Sequence, residues 1–286
     1  MEFTYLGTAA AEGWPSLFCE CNACVKAKEL GGKNIRTRSQ AVIDGELLID
    51  FPPDTYMHFL YGKLDLNKIS HIFITHSHWD HFYPQDIFMR SDGYGDFNRN
   101  KTLHIYGNQA VYDGLTRLKD EESHMYKNLM AHCEFHVLGL GGQIQAGGYT
   151  VTPLPADHHT QAQEQAFIYL IEKDGAALLY ANDTGYLTDG AWAGLAGKKL
   201  RFVSLDCTNL LNENKRQHMG LAGCAEVKQR MLDEGMADAK TCFYIHHFSH
   251  NGGGSLLHAE LEQEAGKYGF NVSYDGCTVN IKPIAL

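Results

Sequence analysis

Residues 75–81 read Thr-His-Ser-His-Trp-Asp-His and follow an apolar, β-branched run, Ile69–Thr75, that predicts a buried strand. Four potential metal ligands, His76, His78, Asp80 and His81, therefore fall within six positions at a strand end. Side chains at i and i+2 of a strand share a face, so His76 and His78 can reach one ion. The turn that follows can aim Asp80 and His81 at a second ion beside it. Imidazole and carboxylate suit zinc, manganese or iron, with the choice set by geometry and supply. Pro84 is well placed to open a helix through Phe88. A lone histidine here would read as a surface or capping residue, whereas this spacing reads as a metal-binding loop. Such a loop needs a rigid sheet to position it.

The rest of the chain supplies one. Strands are expected at Phe3–Leu6, Ala41–Ile43, Leu47–Ile49, Leu103–Tyr106, Thr150–Pro153, Phe167–Ile171, Ala177–Tyr180, Phe202–Leu205 and Cys242–Ile245. Gly45 with Glu46 suggests a hairpin turn between two of them. Helical periodicity marks Gln109–Lys119, Leu221–Glu234 and Leu256–Lys267. Early hairpins followed by alternating strands and helices, with no internal repeat or linker, predict a single α/β domain over residues 1–286. Histidines 158, 159, 246, 247 and 250, out of 16 in all, also lie just after predicted strands. Strand ends converging on one rim would bring them together. His71, His104, His132 and His136 match no ligand pattern and read as ordinary core or surface histidines.

Net charge is −10, which argues against non-specific nucleic-acid binding through a basic face. No apolar run is long enough to span a membrane, and the first residues lack the features of a secretory signal, so a cytoplasmic chain is expected. Its eight cysteines should then be reduced thiols. Three of them, Cys19, Cys21 and Cys24, form a Cys-x-Cys-x2-Cys array that can face one tetrahedral zinc. His250, three residues beyond His247, is the candidate fourth ligand; three free thiols in a loop are the alternative.

These residues resemble the metallo-β-lactamase superfamily, whose hallmark is His-x-His-x-Asp-His at a strand end. The likeness covers nearly the whole chain. Leu6-Gly7-Thr8 looks like the family's first strand and turn, and Asp50 in Leu48-Ile49-Asp50-Phe51-Pro52 like its strand-end aspartate. His158, Asp183 (in Asn182-Asp183-Thr184-Gly185) and His247 match its later ligands. The resemblance implies an αββα sandwich of two mixed β-sheets with outer helices. It implies that His76, His78 and His158 hold one metal and Asp80, His81 and His247 the other. Asp183 would join both, with Asp50 steadying the ligand loop. His159 and His246 stand one residue away as alternatives, and Asp183 can instead cap a helix starting near Gly185.

The cysteine array with its distal histidine is similar to the cyclic phosphate phosphodiesterases of phosphonate breakdown and to the B proteins of pyrroloquinoline quinone biosynthesis. The resemblance implies two divalent active-site ions, zinc or manganese, and one structural zinc on Cys19, Cys21, Cys24 and His250. Such a pair of ions, about 4 Å apart, acidifies a water and stabilises attacking and leaving oxygens. Against Asp80, Asp183 and the deprotonated water, it leaves the pocket near about +1. A small anionic substrate suits that field; no extended nucleic acid or membrane is expected as a partner, and a homodimer is left open. The function expected is a dinuclear phosphodiesterase acting on a small cyclic or nucleotide-like phosphate. Hydrolysis of a lactone or thioester carbonyl, or a non-hydrolytic role in quinone-cofactor biosynthesis, are the alternatives.

Asp80 and His218 are the candidate catalytic residues. His218, in Arg216-Gln217-His218-Met219-Gly220, matches a catalytic histidine of the phosphodiesterases, as general acid or as a hydrogen-bond donor that binds phosphate; a solvent-exposed histidine is the alternative. Arg216 reads as a surface residue. Phe82-Tyr83-Pro84-Gln85-Asp86 departs from the small residue and Gly-Leu that usually follow the motif, which leaves the substrate open. Arg90–Asn98, with Tyr94 and Phe97, looks like a pocket-edge loop. The acidic balance and the absence of a basic arm disfavour transfer-RNA 3′ processing. His78 disfavours a diiron oxygen-reducing role, since that branch carries Glu there.

Overall fold

The computed structural model describes residues 1–62, 64–121, 129–160, 164–254 and 256–283. Strands that are apolar at every position end up buried on both faces, and Leu47-Leu48-Ile49 shows how. Leu47 and Ile49 point between two sheets, among Phe3, Tyr5, Phe73, Tyr169 and Tyr180. Leu48 points the other way, into a layer with Ile72, Ile105, Phe88 and Val111. A third apolar layer packs Leu170, Leu179, Val203 and Ile245 against Trp192, Val227, Met231 and Leu261 on the far side of the second sheet. Helix, sheet, sheet and helix are thus stacked as an αββα sandwich.

The first sheet holds β1 (Glu2–Gly7), β2 (Gln40–Ile43), β3 (Leu47–Ile49), β4 (His71–Phe73), β5 (Leu103–Gly107), β6 (Cys133–Val137) and β14 (Thr278–Asn280), in the order β14-β1-β2-β3-β4-β5-β6. The second holds β7 (Ile144–Ala146), β8 (Tyr149–Pro155), β9 (Phe167–Lys173), β10 (Ala176–Ala181), β11 (Phe202–Asp206), β12 (Cys242–His246) and β13 (Asn271–Val272), in the order β13-β12-β11-β10-β9-β8-β7. Both are mixed. β3 to β6 and β10 to β13 pair in parallel, while the remaining pairs are antiparallel. The helices are α1 (Asn22–Leu30), α2 (Thr55–Tyr61), α3 (Gln109–Glu121), α4 (Leu129–His132), α5 (Asp189–Leu195), α6 (Leu221–Asp233) and α7 (His258–Gly266). No helix among the described residues is long and apolar enough to cross a membrane.

Three local expectations shift. The β2–β3 turn is Asp44-Gly45, both at positive φ, closed by Glu46 N–H to Ile43 O at 3.0 Å. Asp-Gly is the pair that a two-residue hairpin turn of this twist demands, so the turn sits one residue earlier than Gly45-Glu46. β4 stops at Phe73 rather than Thr75, because Thr75 O accepts from Phe167 N of the other sheet (2.9 Å) and draws the chain across the rim. His76 and His78 therefore lie in a loop, not on a strand face. Pro84 opens a 3-10 helix that runs through Arg90.

Candidate metal centre

The rim at the carboxyl ends of the parallel strands gathers the ligand-type side chains, the usual place for a site in α/β sheets. After β4, the 76–81 loop is anchored by Asp50 at the end of β3. Asp50 accepts from Thr75 N–H (2.7 Å) and the Thr75 hydroxyl (2.9 Å), and its other oxygen lies 2.7 Å from His81 Nδ1. Glu164 clasps the loop from the other side, accepting from Ser77 N–H at 2.7 Å and from Asn108 Nδ2 at 2.6 Å. The rings' remaining nitrogens are thereby turned inward.

Two groups of ligand atoms result, each with all its members within 4.8 Å of one another: His76, His78 and His158; and Asp80, His81, Asp183 and His247. His78 Nδ1 is 3.0 Å from His76 Nε2 and 3.3 Å from His158 Nε2. Asp183 lies between the groups, with Oδ2 2.5 Å from His81 Nε2 and 3.5 Å from His76 Nε2, and Oδ1 3.1 Å from His247 Nε2. His159 is exposed, and buried His246 is turned to Ser204 Oγ (3.0 Å) and Leu205 O, so neither one-residue alternative enters the cluster. No helix begins near Gly185. The next one, α5, is capped by Thr188, so Asp183 caps nothing.

Whether the cluster fits cations can be judged from its own atoms. His81 Nε2, Asp183 Oδ1 and His247 Nε2 are buried and face one another at ion-pair distance, yet none makes a hydrogen bond of good geometry, which is costly unless a ligand completes them. Burial opposes a charge on His81, yet Asp183, Asp80 and Asp50 hold its pKa well above the ordinary imidazole value. Burial keeps His76 neutral, the form that ligates. Asp50, Asp183 and His247 all have positive φ (64°, 42° and 63°), a conformation retained where surrounding contacts over-determine it. The donor set and the concentrated negative charge fit divalent cations.

Beside Asp183 and His247 stands His218. Its Nδ1 is 2.8 Å from Asp206 Oδ2 and 3.4 Å from Asp183 Oδ1, and its ring stacks on His247. Burial works against its charged form, but Asp206 and Asp183 prevail and push its pKa up to about 9. Asp157 holds this wall together, accepting from Gly185 N–H and Gln217 N–H and donating its own N–H to Thr184 Oγ1. A Cβ on Gly185 would overlap Asp157 and the Lys215 carbonyl, so the close approach requires glycine. Sequence reading missed Asp206, Asp157, Glu164 and Thr208, whose hydroxyl lies 2.7 Å from His247 Nδ1. Only Asp206 carried a signal, as an aspartate closing an apolar strand in the manner of Asp50.

Behind His247, Cys19, Cys21, Cys24 and His250 form another group within 4.8 Å. His250 Nδ1 is 3.6 Å from Cys21 Sγ and 3.8 Å from Cys19 Sγ. Cys21 caps α1, and the Cys24 N–H it accepts is the main cause that brings its pKa down to about 6. No two of the eight cysteines are joined in a disulfide. Arg216 is exposed. Phe97 of the 90–98 loop is enclosed by Arg90, Arg99 and His132 rather than facing the ligands.

A sequence profile of the β-lactamase superfamily domain matches residues 46–247, which span the whole of both ligand groups. The chain belongs to this superfamily. The superfamily's metallo-hydrolase fold implies divalent metal at the cluster just described. A diphosphatase of the PhnP family superposes over 99% of this chain and 98% of its own with a TM-score of 0.72 at 23% identity. Zn(2+)-bound PqqB from Methylobacterium extorquens superposes over 98% of this chain and 100% of its own with a TM-score of 0.70 at 18% identity. Among curated relatives, ribonuclease Z of Staphylococcus epidermidis is 32% identical over 128 residues, 44% of this chain. That match spans 37% of the relative's length.

Proposed function

We propose that the protein is a metal-dependent phosphodiesterase acting on a small cyclic or nucleotide-like phosphate. In this reading His76, His78 and His158 hold one zinc or manganese ion, Asp80, His81 and His247 a second, and Asp183 both, while Cys19, Cys21, Cys24 and His250 hold a structural zinc. Cations bound there supply Lewis acidity toward phosphoryl oxygens and an acidified water. Asp80 and Asp183, the carboxylates of the second ligand group, could accept a proton from such a water.

The observation that carries the reading is the Asp206–His218 pair. With Nδ1 turned to Asp206, His218 keeps Nε2 on the opposite edge of a quarter-exposed ring. That nitrogen can hand a proton to a departing alkoxide or bind a phosphoryl oxygen. Next to the ligand loop, a cavity of about 690 Å³ is lined by Ser77, Trp79, Tyr83 and Arg117 among others. Half-exposed Trp79, with the Arg38 guanidinium 4.7 Å from its ring, offers a stacking face for a base or sugar, and Arg117 a counter-charge for an anion. Relatives named ribonuclease Z and a neighbour named diphosphatase agree with chemistry at phosphorus. The net charge of −10 favours a small ester over a long polyanion.

The test is purified, metal-replete protein on bis(p-nitrophenyl) phosphate and a 2′,3′-cyclic nucleotide beside lactone and thioester panels. Diester turnover that falls sharply in Asp183→Ala is expected. Turnover of carbonyl substrates with none of diesters overturns the reading.

A further inference from the structure

The parallel half of the first sheet carries three further histidines close together: His71 and His104 lie at a second rim, the amino ends of β4 and β5, and His136 is the fourth residue of β6. Register pairs His71 with His104 across β4–β5, His104 with Glu134 and Tyr106 with His136 across β5–β6. Partners on adjacent strands share a face, so residues from three separate segments line up on the inner face. His71 precedes His76 by five residues, about 16 Å of extended chain, so this rim lies apart from the centre described above.

His104 Nδ1 is 3.1 Å from His136 Nε2 and 3.5 Å from Glu134 Oε2, and the other Glu134 oxygen is 3.9 Å from His136 Nε2. Tetrahedral zinc with bonds of about 2.0–2.1 Å separates its ligands by about 3.3 Å. Both rings are already oriented. Tyr106 stacks on His136 (4.5 Å, 15°) and His71 stacks on His104 (5.4 Å, 18°). His71 is itself fixed by the Tyr106 hydroxyl at 3.3 Å and covered by the β7–β8 turn, where a Cβ on Gly147 would meet its Nε2. His104 and His136 are about a third exposed, so an ion can enter.

We infer that His104, Glu134 and His136 form a further cation site, taking a borderline divalent ion such as zinc or nickel with water in the fourth position. Because β6 is the edge strand of its sheet, the ion would tie that strand to β5.

The experiment loads wild-type protein, His104→Gln and His136→Gln with zinc, desalts them and counts the metal. Wild type should retain one equivalent more than either variant, with diester turnover unchanged and slower amide exchange across 133–137 than in the metal-free chain. Equal zinc in all three overturns the inference. A second readout avoids any folding effect of the variants: carbethoxylation of wild type, mapped by mass spectrometry. Zinc should slow modification of His104 and His136, and equal rates with and without zinc overturn the site.

Discussion

Asp206→Asn tests the proton-transfer role of His218 most directly. Wild-type Asp206 is fully buried. Its Oδ1 accepts from Thr208 N–H (2.9 Å), and its Oδ2 faces His218 Nδ1 at 2.8 Å. The amide keeps the first contact but turns an NH2 toward Nδ1, which must then accept and shift the ring to the Nε2–H neutral tautomer. The carboxylate that sustains a pKa of about 9 against burial is also gone. A positioned general acid contributes about 10²- to 10⁴-fold, or about 3–5 kcal/mol of barrier. That full loss is expected for a diester with an alkoxide leaving group. A p-nitrophenolate leaves as a stable anion and needs little protonation, so its kcat should fall less than about tenfold. With the alkoxide substrate, wild-type kcat should decline as pH rises through about 9, and in the variant the decline should begin at lower pH. Steady-state kinetics on both substrates across this range, with metal content measured on the same samples, decide the matter. Equal losses on the two substrates and an unmoved basic limb would refute proton donation by His218.

Cys21→Ser removes one sulfur from the Cys19, Cys21, Cys24 and His250 group proposed to bind zinc beside the turn that carries His247. It should lower the melting temperature and cost metal at the Asp80/His81/His247 group, as read by elemental analysis; unchanged values for both would show that the two groups are independent. His58, buried and 2.6 Å from Gln40 Oε1, is kept neutral mainly by burial, with its pKa down to about 4 against an ordinary 6.5. Its contribution to stability is fully present above about pH 6.5 and is lost as pH falls toward about 4, by about 3 kcal/mol in all. Urea unfolding of His58→Gln should therefore show a correspondingly shallower acid decline than wild type, and parallel curves would exclude this role.

The contrast between what was and was not legible follows from distance along the chain. Within a segment, local chemistry is enough. His76, His78, Asp80 and His81 declare a ligand loop by spacing alone, and Leu47–Ile49 declares a strand buried on both faces by its unbroken apolar run. The short or half-exposed elements escaped. Cys133–Val137 alternates apolar and polar residues but lies at a sheet edge, and Asn271–Val272 and Thr278–Asn280 are strands only because a neighbour pairs with them. Thr55–Tyr61 is a helix despite a run of exposed aromatics that no periodicity rule favours.

The candidate ligand residues could thus be named from the chain itself, as could the need for a sheet to carry the loop. The partners of each ligand could not. Asp206 meets His218 twelve residues on because β11 ends on the same rim as the turn before α6, and His104 meets Glu134 and His136 because three parallel strands share one register. Register across a sheet is set by the packing of both faces at once. A side chain's neighbours on the next strand are therefore a property of the assembled layers and not of its own segment.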